Sequence, residues 1–102
     1  MLVEFSVLPV GKGVSVSKSV AKAIDLVDKS GLDYKVGELG TVVEGEWKEI
    51  FRLIERCHRL LLRETGRVVT TVKIDDRRGR KGLLRTRIRK IERILRRKIR
   101  TS

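Results

Sequence analysis

The chain opens with a period of two. Over residues 2–9, Val3, Phe5 and Val7 fall on one side and Glu4, Ser6 and Leu8 on the other, before Pro9 and Gly11 end the run. That alternation predicts a strand buried on one face. Gly11-Lys12-Gly13 reads as a turn, and Ser15 or Ser17 is placed to cap the helix that follows. In that helix Val16, Val20, Ala23, Ile24 and Val27 form one apolar stripe, and Gly31 with Leu32 predicts a left-handed stop closed by a hydrophobic contact. Two short strand-like pieces, Tyr34–Glu38 and Thr41–Gly45, are joined by a tight connection ending at Gly40, the pattern of a hairpin.

A long helix is predicted over Glu46–Glu64, stopped by Gly66. Its apolar residues, from Trp47, Ile50 and Phe51 to Leu60, Leu61 and Leu62, cover more than half of the helical wheel. Packing on a small sheet needs only about a 100° stripe, so the surplus predicts contact with another subunit. Arg67–Asp75 alternates again, Val68, Thr70, Val72 and Ile74 against Val69, Thr71 and Lys73. The order β-α-β-β-α-β predicts an α+β fold of ferredoxin-like type, an antiparallel four-stranded sheet with two helices on one face. Residues 1–78 make up that domain. Residues 79–102 add a third helix, in which Leu84, Ile88, Ile91 and Leu95 repeat at spacings of four, three and four opposite Arg85, Arg89, Arg93, Arg96, Arg97 and Arg100. This basic amphipathic helix belongs to the same domain or docks on a neighbouring subunit.

Composition narrows the function classes. A chain of 102 residues has room for one modest core. No run approaches the roughly 18–20 apolar residues that cross a bilayer, and Met1-Leu2-Val3-Glu4 lacks a basic leader region, so a cytoplasmic protein without a membrane partner is expected. A single cysteine excludes an internal disulfide and a multi-cysteine zinc site. The absence of Asn and Gln beside a heavy Arg, Lys and Glu load is the composition of a hyperthermophile protein. The net charge of +12 is confined to one end: residues 1–76 hold 12 Lys+Arg and 12 Asp+Glu, whereas residues 77–102 hold 13 basic residues and one acid, Glu92. Arguments about anionic partners therefore concern the tail alone.

Candidate chemistry is sparse. Gly11-Lys12-Gly13 lacks the remaining glycines of a dinucleotide fingerprint and the spacing of a P-loop, and is read as a turn. Cys57 and His58 are helix neighbours pointing about 100° apart, so they make no catalytic pair, and Cys57 reads as an inert core residue. No catalytic constellation and no metal site stands out, and a non-enzyme is expected. His58 continues a line through Trp47, Phe51 and Ile54, which serves either packing or the wall of a pocket for a flat heterocycle. Asp75 and Asp76, followed at once by Arg77 and Arg78, read as a salt-bridge knot at a strand end. Glu44 and Glu46 precede a helix whose dipole favours acids, and Glu44 is equally placed to receive a cationic ligand. The tail helix admits docking through its Ile/Leu stripe, or nucleic-acid contact through Arg89, Arg93 and Arg96.

Three segments together resemble one family. Glu4-Phe5-Ser6-Val7 with Pro9, Gly11 and Gly13 is similar to its first strand and turn; Gly40-Thr41-Val42-Val43-Glu44-Gly45-Glu46 matches its G-T-x-x-E-G-E segment. Arg67-Val68 with Lys73-Ile74-Asp75-Asp76-Arg77-Arg78 matches its R-V…K-I-D-D-R-R strand end. These marks resemble the thiamine-binding-protein family, over roughly residues 1–78. The family often carries Pro-Met where this chain has Glu38-Leu39, and the tail here is more basic. The resemblance implies a ferredoxin-like fold, homodimers pairing into homotetramers, no required cofactor, and binding of thiamine or a related pyrimidine without conversion. A thiamine slot needs a flat apolar wall, for which Trp47 or Phe51 is the candidate, a carboxylate near the thiazolium, for which Glu44 is, and hydrogen-bonding groups such as Ser6 and Thr41.

Overall fold

The computed structural model describes residues 1–11, 16–79 and 82–101. In chain order the elements are β1 (Leu2–Pro9), α1 (Val16–Lys29), β2 (Asp33–Val36), β3 (Thr41–Glu44), α2 (Trp47–Thr65), β4 (Val68–Asp75) and α3 (Leu83–Leu95). The four strands form one antiparallel sheet in the order β2-β3-β1-β4, the ferredoxin-like arrangement of an α+β protein.

β1 is a central strand, and its alternation sets both faces of the sheet. Val3 pairs with Val43 and Ile74, and Phe5 with Thr41 and Val72. Cross-strand partners share a face, so these side chains form one apolar surface. Against it α2 lays Ile50, Leu53, Ile54, Cys57 and Leu61, all buried and at helical spacing, and α1 adds Val27. The two helices are also tied to each other, since Ser19 Oγ donates to Glu64 Oε2 at 3.2 Å and Lys22 Nζ pairs with its other oxygen.

Local chemistry explains the element ends. α2 stops at Gly66, whose φ of 77° suits the left-handed region and whose N–H donates to the Leu62 carbonyl at 2.8 Å. β2 ends at Val36, two residues before the expected Glu38, because Gly37 N–H bonds to the Gly40 carbonyl at 2.9 Å and closes the turn. Gly45 cannot carry a side chain without displacement: a Cβ there would stand 2.9 Å from Leu32 Cδ2. Leu32 is packed against the core, as the stop after Gly31 anticipated. Ser17 lies in the first turn of α1 rather than at its cap; Ser15, Lys12 and Gly13 lie outside the described residues.

α3 starts on the opposite face of the sheet, at the Glu44 end of β3, and buries only Leu83 and Leu84. The molecule is elongated as a result, 48 × 28 × 21 Å, with a radius of gyration of 15.1 Å. A compact domain of this length has about 13 Å. Among the described residues no helix is long and apolar enough to cross a membrane.

Leu61, one turn after Cys57 on α2, is fully buried. Leu61→Ala is expected to destabilise the fold by about 2–5 kcal/mol, read as a lower denaturant midpoint at unchanged slope.

Candidate functional site

The strands differ in length, and the difference makes a step. β1 runs for eight residues but pairs with β3 only over Leu2–Phe5, so Ser6–Pro9 have a strand partner on the β4 side alone. Met1 and Gly45 exchange backbone hydrogen bonds (2.9 and 3.1 Å), which sets the parity of the ladder. Odd-numbered residues of β1 therefore aim their N–H and C=O toward β3. For Val7 that direction leads past Thr41, where the pairing has ended.

A cavity of about 390 Å³ occupies this step, within the usual range for small-ligand pockets. Its floor is Phe5 to Leu8 of β1; α1 supplies Val20, Ala23 and Val27; the turn from Val36 to Thr41 closes the third side. The walls are mostly apolar. Thr41 and Glu38 are the polar residues on this side, beside the strand backbone; Ser6 belongs to the lining as well, but its side chain alternates to the opposite face of the sheet. Gly40 lies so close to β1 that a Cβ would meet the Phe5 carbonyl at 3.1 Å, which holds the turn against the strand. Leu39 projects at the rim, 94% exposed.

The six ligand-site candidates separate into three places. Ser6 and Thr41 line the cavity. Phe51 and His58 line a shallow open depression along one flank of α2, with Ile54, Glu55, Arg59 and Leu62. His58 Nδ1 is 2.6 Å from Thr70 Oγ1, which ties that side chain to β4. Trp47 stacks on Phe51, ring centroids 4.6 Å apart and planes inclined by 32°, and remains 56% exposed. Glu44 faces the other side of the sheet, where its carboxylate accepts the N–H of Leu83 at 2.9 Å and of Leu84 at 3.4 Å. It thus serves the free donors at the start of α3.

Glu44 is one member of a row. The register aligns Asp33, Glu44, Leu2 and Asp75 across all four strands. α3 fastens to each carboxylate in the row: Arg85 to Asp33 at 2.9 Å, the helix start to Glu44, and Arg87 to Asp75. Arg77 adds a looser contact to Asp75 at 3.8 Å, so of the Asp-Asp-Arg-Arg segment these two residues are ion-paired, with Arg87 of α3 as the other partner of Asp75. Cys57 is fully buried, its thiol pushed up to about 11 by desolvation, and Sγ lies 3.6 Å from the Ala23 carbonyl. Arg89, Arg93 and Arg96 are exposed.

Sequence reasoning overlooked Glu38 and the Val7 backbone. The available signal was a mismatch in length: an eight-residue alternating strand beside a strand-like piece of five leaves part of the longer one without a neighbour. Among the described residues no group of three or more His, Cys, Asp or Glu side chains is arranged to hold a metal ion.

Residues 3–92 match the family model described as thiamine-binding protein. A UPF0045 protein of Methanocaldococcus jannaschii is 36% identical over 91 residues, covering 89% of this chain and 91% of the relative. The crystal structure of a hypothetical protein from the same organism superposes with a TM-score of 0.80 at 37% identity, over 88% of this chain and 93% of the other. A Thermotoga maritima protein, titled a candidate thiamine biosynthesis/salvage protein, superposes with a TM-score of 0.77 at 27% identity, over 88% and 96% of the two chains.

The carboxylate row predicts an acid response. The Arg87 hydrogen bond, then the charges of Arg87, Arg77 and Lys73, hold the Asp75 carboxyl below its ordinary value against an opposing desolvation effect. A depressed folded-state value means that its contribution is complete above the unfolded carboxylate range and is lost as pH falls through the lower, folded one. α3 should therefore stay fastened down to about pH 4 and loosen below it. Hydrogen exchange of α3 amides over that range checks this, and Asp75→Asn should flatten the acid limb.

Proposed function

This chain belongs to the thiamine-binding-protein family, and from that premise we propose that it binds thiamine or a related pyrimidine reversibly, without converting it, in the cavity between α1 and the β2–β3 turn. The observation that carries the reading is the step at Val7. An aminopyrimidine presents a hydrogen-bond donor beside an acceptor, and a strand edge offers the matching pair. The N–H and C=O of Val7 supply that edge, with Thr41 as a further partner and Ser6, the neighbouring lining residue, at its border. The apolar side chains of α1 and Phe5 cover the flat ring faces, and Glu38 at the rim faces the thiazolium cation. Glu44, engaged by α3, contributes by holding β3 in register rather than by meeting the cation. The likeness to the Thermotoga protein, described as one of thiamine biosynthesis or salvage, favours this ligand class. The buried Cys57 and the Thr70-bound His58 leave neither poised as a nucleophile or base, which favours binding over turnover.

The reading includes self-association into homodimers or homotetramers. β4 is an edge strand of eight residues, and Leu8 and Val69 stand exposed on the face that α3 covers only in part. Trp47 and Leu62, from the surplus arc of α2, are exposed too. The cavity mouth, with Leu39, Val16 and Val36 in solvent, is an apolar rim that a second subunit would close.

Calorimetry with thiamine, its phosphates and the free aminopyrimidine alcohol tests the ligand. Saturable binding without a new product by mass spectrometry is expected. Glu38→Gln should weaken thiamine about fivefold, the worth of one partly exposed charge pair, and leave the uncharged pyrimidine unchanged. Absence of heat with every compound at about millimolar ligand overturns the reading.

Light scattering should give a mass of two or four chains, and a strict 11.7 kDa monomer would refute self-association.

A further inference from the structure

α3 has two electrically different halves. On the first, Arg85 and Arg87 are neutralised by Asp33 and Asp75. Beyond them Arg89, Lys90, Arg93, Arg96, Arg97 and Arg100 are all exposed, and none has a carboxylate within ion-pair distance among the described residues. The one acid in this stretch, Glu92, is occupied: its Oε2 accepts the Ile99 N–H at 2.9 Å. Arg89 and Arg93 stand four residues apart in α3, a spacing at which like charges repel along a helix, and Arg96, Arg97 and Arg100 follow just past its C-terminal end. The arrangement is self-repelling as it stands and gains from a partner that brings negative charge in a row.

The geometry points to a nucleic-acid backbone as that partner, with α3 as a sequence-independent phosphate-binding arm. Arginine outnumbers lysine ten to three in residues 77–102, and its planar fork pairs with phosphate oxygens in a bidentate way that an ammonium cannot. From Arg89 through Arg93 to the C-cap Arg96 is about 10 Å along the axis, three steps on one strand and so about four successive phosphates. No Trp, Tyr or Phe occurs in residues 77–102, so bases have nothing to stack on and a duplex is favoured over a single strand. The same lack removes the interfacial aromatic anchors that a membrane-surface helix uses. The arm also stands clear of the body: only its first turn is buried, and the radius of gyration of 15.1 Å records the overhang. None of this depends on a ligand in the cavity, so the two proposals stand or fall separately.

The test uses the full chain and a fluorescent random-sequence duplex of about 20 base pairs, followed by polarisation. Micromolar binding at about 50 mM salt is expected, weakening roughly 150-fold by about 200 mM if about four phosphates are neutralised. Arg89→Gln, Arg93→Gln and Arg96→Gln together should lower the salt slope by about three and weaken binding more than about tenfold, with circular dichroism and mass unchanged. The same neutralisation at the exposed Arg52, Arg56 and Arg63 of α2 should change binding less than about twofold. No retention of duplex at low salt overturns the proposal. Equal loss in the α2 variant, or capture by phosphatidylserine vesicles in preference to duplex, overturns it as well.

Discussion

Everything in this fold is referred to one strand. β1 pairs on both sides, with β3 over four residues and with β4 over eight, so its period of two is imposed on the whole sheet. A slip of one residue would send Val3 and Phe5 outward and Glu4 and Ser6 into the core, against α2. The helices sit where they do because Val3 and Phe5 point that way. The cavity exists because β1 outlasts the strand beside it, and the carboxylate row exists because the same register lines up Asp33, Glu44 and Asp75.

The opposite face is solved differently. An antiparallel sheet can leave one face in water, and this one is covered only at the end where three acids meet α3. Burial there is small, limited to Leu83 and Leu84, so geometry and charge hold the helix more than area does. Exposed ion pairs are individually weak, but the Glu44 carboxylate also receives two backbone donors that would otherwise be orphans at a helix start. β3 is only four residues long, with Thr41 at the cavity and Glu44 under α3. The two ends of one short strand thus connect the pocket to the tail helix.

Much of this was legible in the residues themselves. Strong periodicity in β1, α2 and β4 specified the element order, and Gly66 marked the helix end because only a left-handed residue closes it without strain. Cys57 was readable as core because it falls inside the apolar arc. The site was less legible. Trp47, Phe51 and His58 share a helix face with the buried Ile54, but how far the core extends along that face is a tertiary fact, and Trp47, at the first residue of α2, is left more than half exposed. Glu44 looked free for a ligand because its partners, Leu83 and Leu84, lie some forty residues away. Glu38 was read as the end of a strand, and a turn residue reveals its role only when the strand behind it is seen to be longer.

The cavity has walls of two kinds. Phe5 and Val27 are core residues as well as lining, so changing them would disturb the fold. Val16, Val36, Glu38 and Leu39 line it while being exposed to solvent and outside the core. Substitutions at such positions are nearly neutral for stability. Selection can therefore rework the rim while the scaffold stays constant, and ligand preference is free to drift between lineages. Proteins sharing this backbone need not share a metabolite, and three residues around one turn, with the first of α1, are where their divergence would be written.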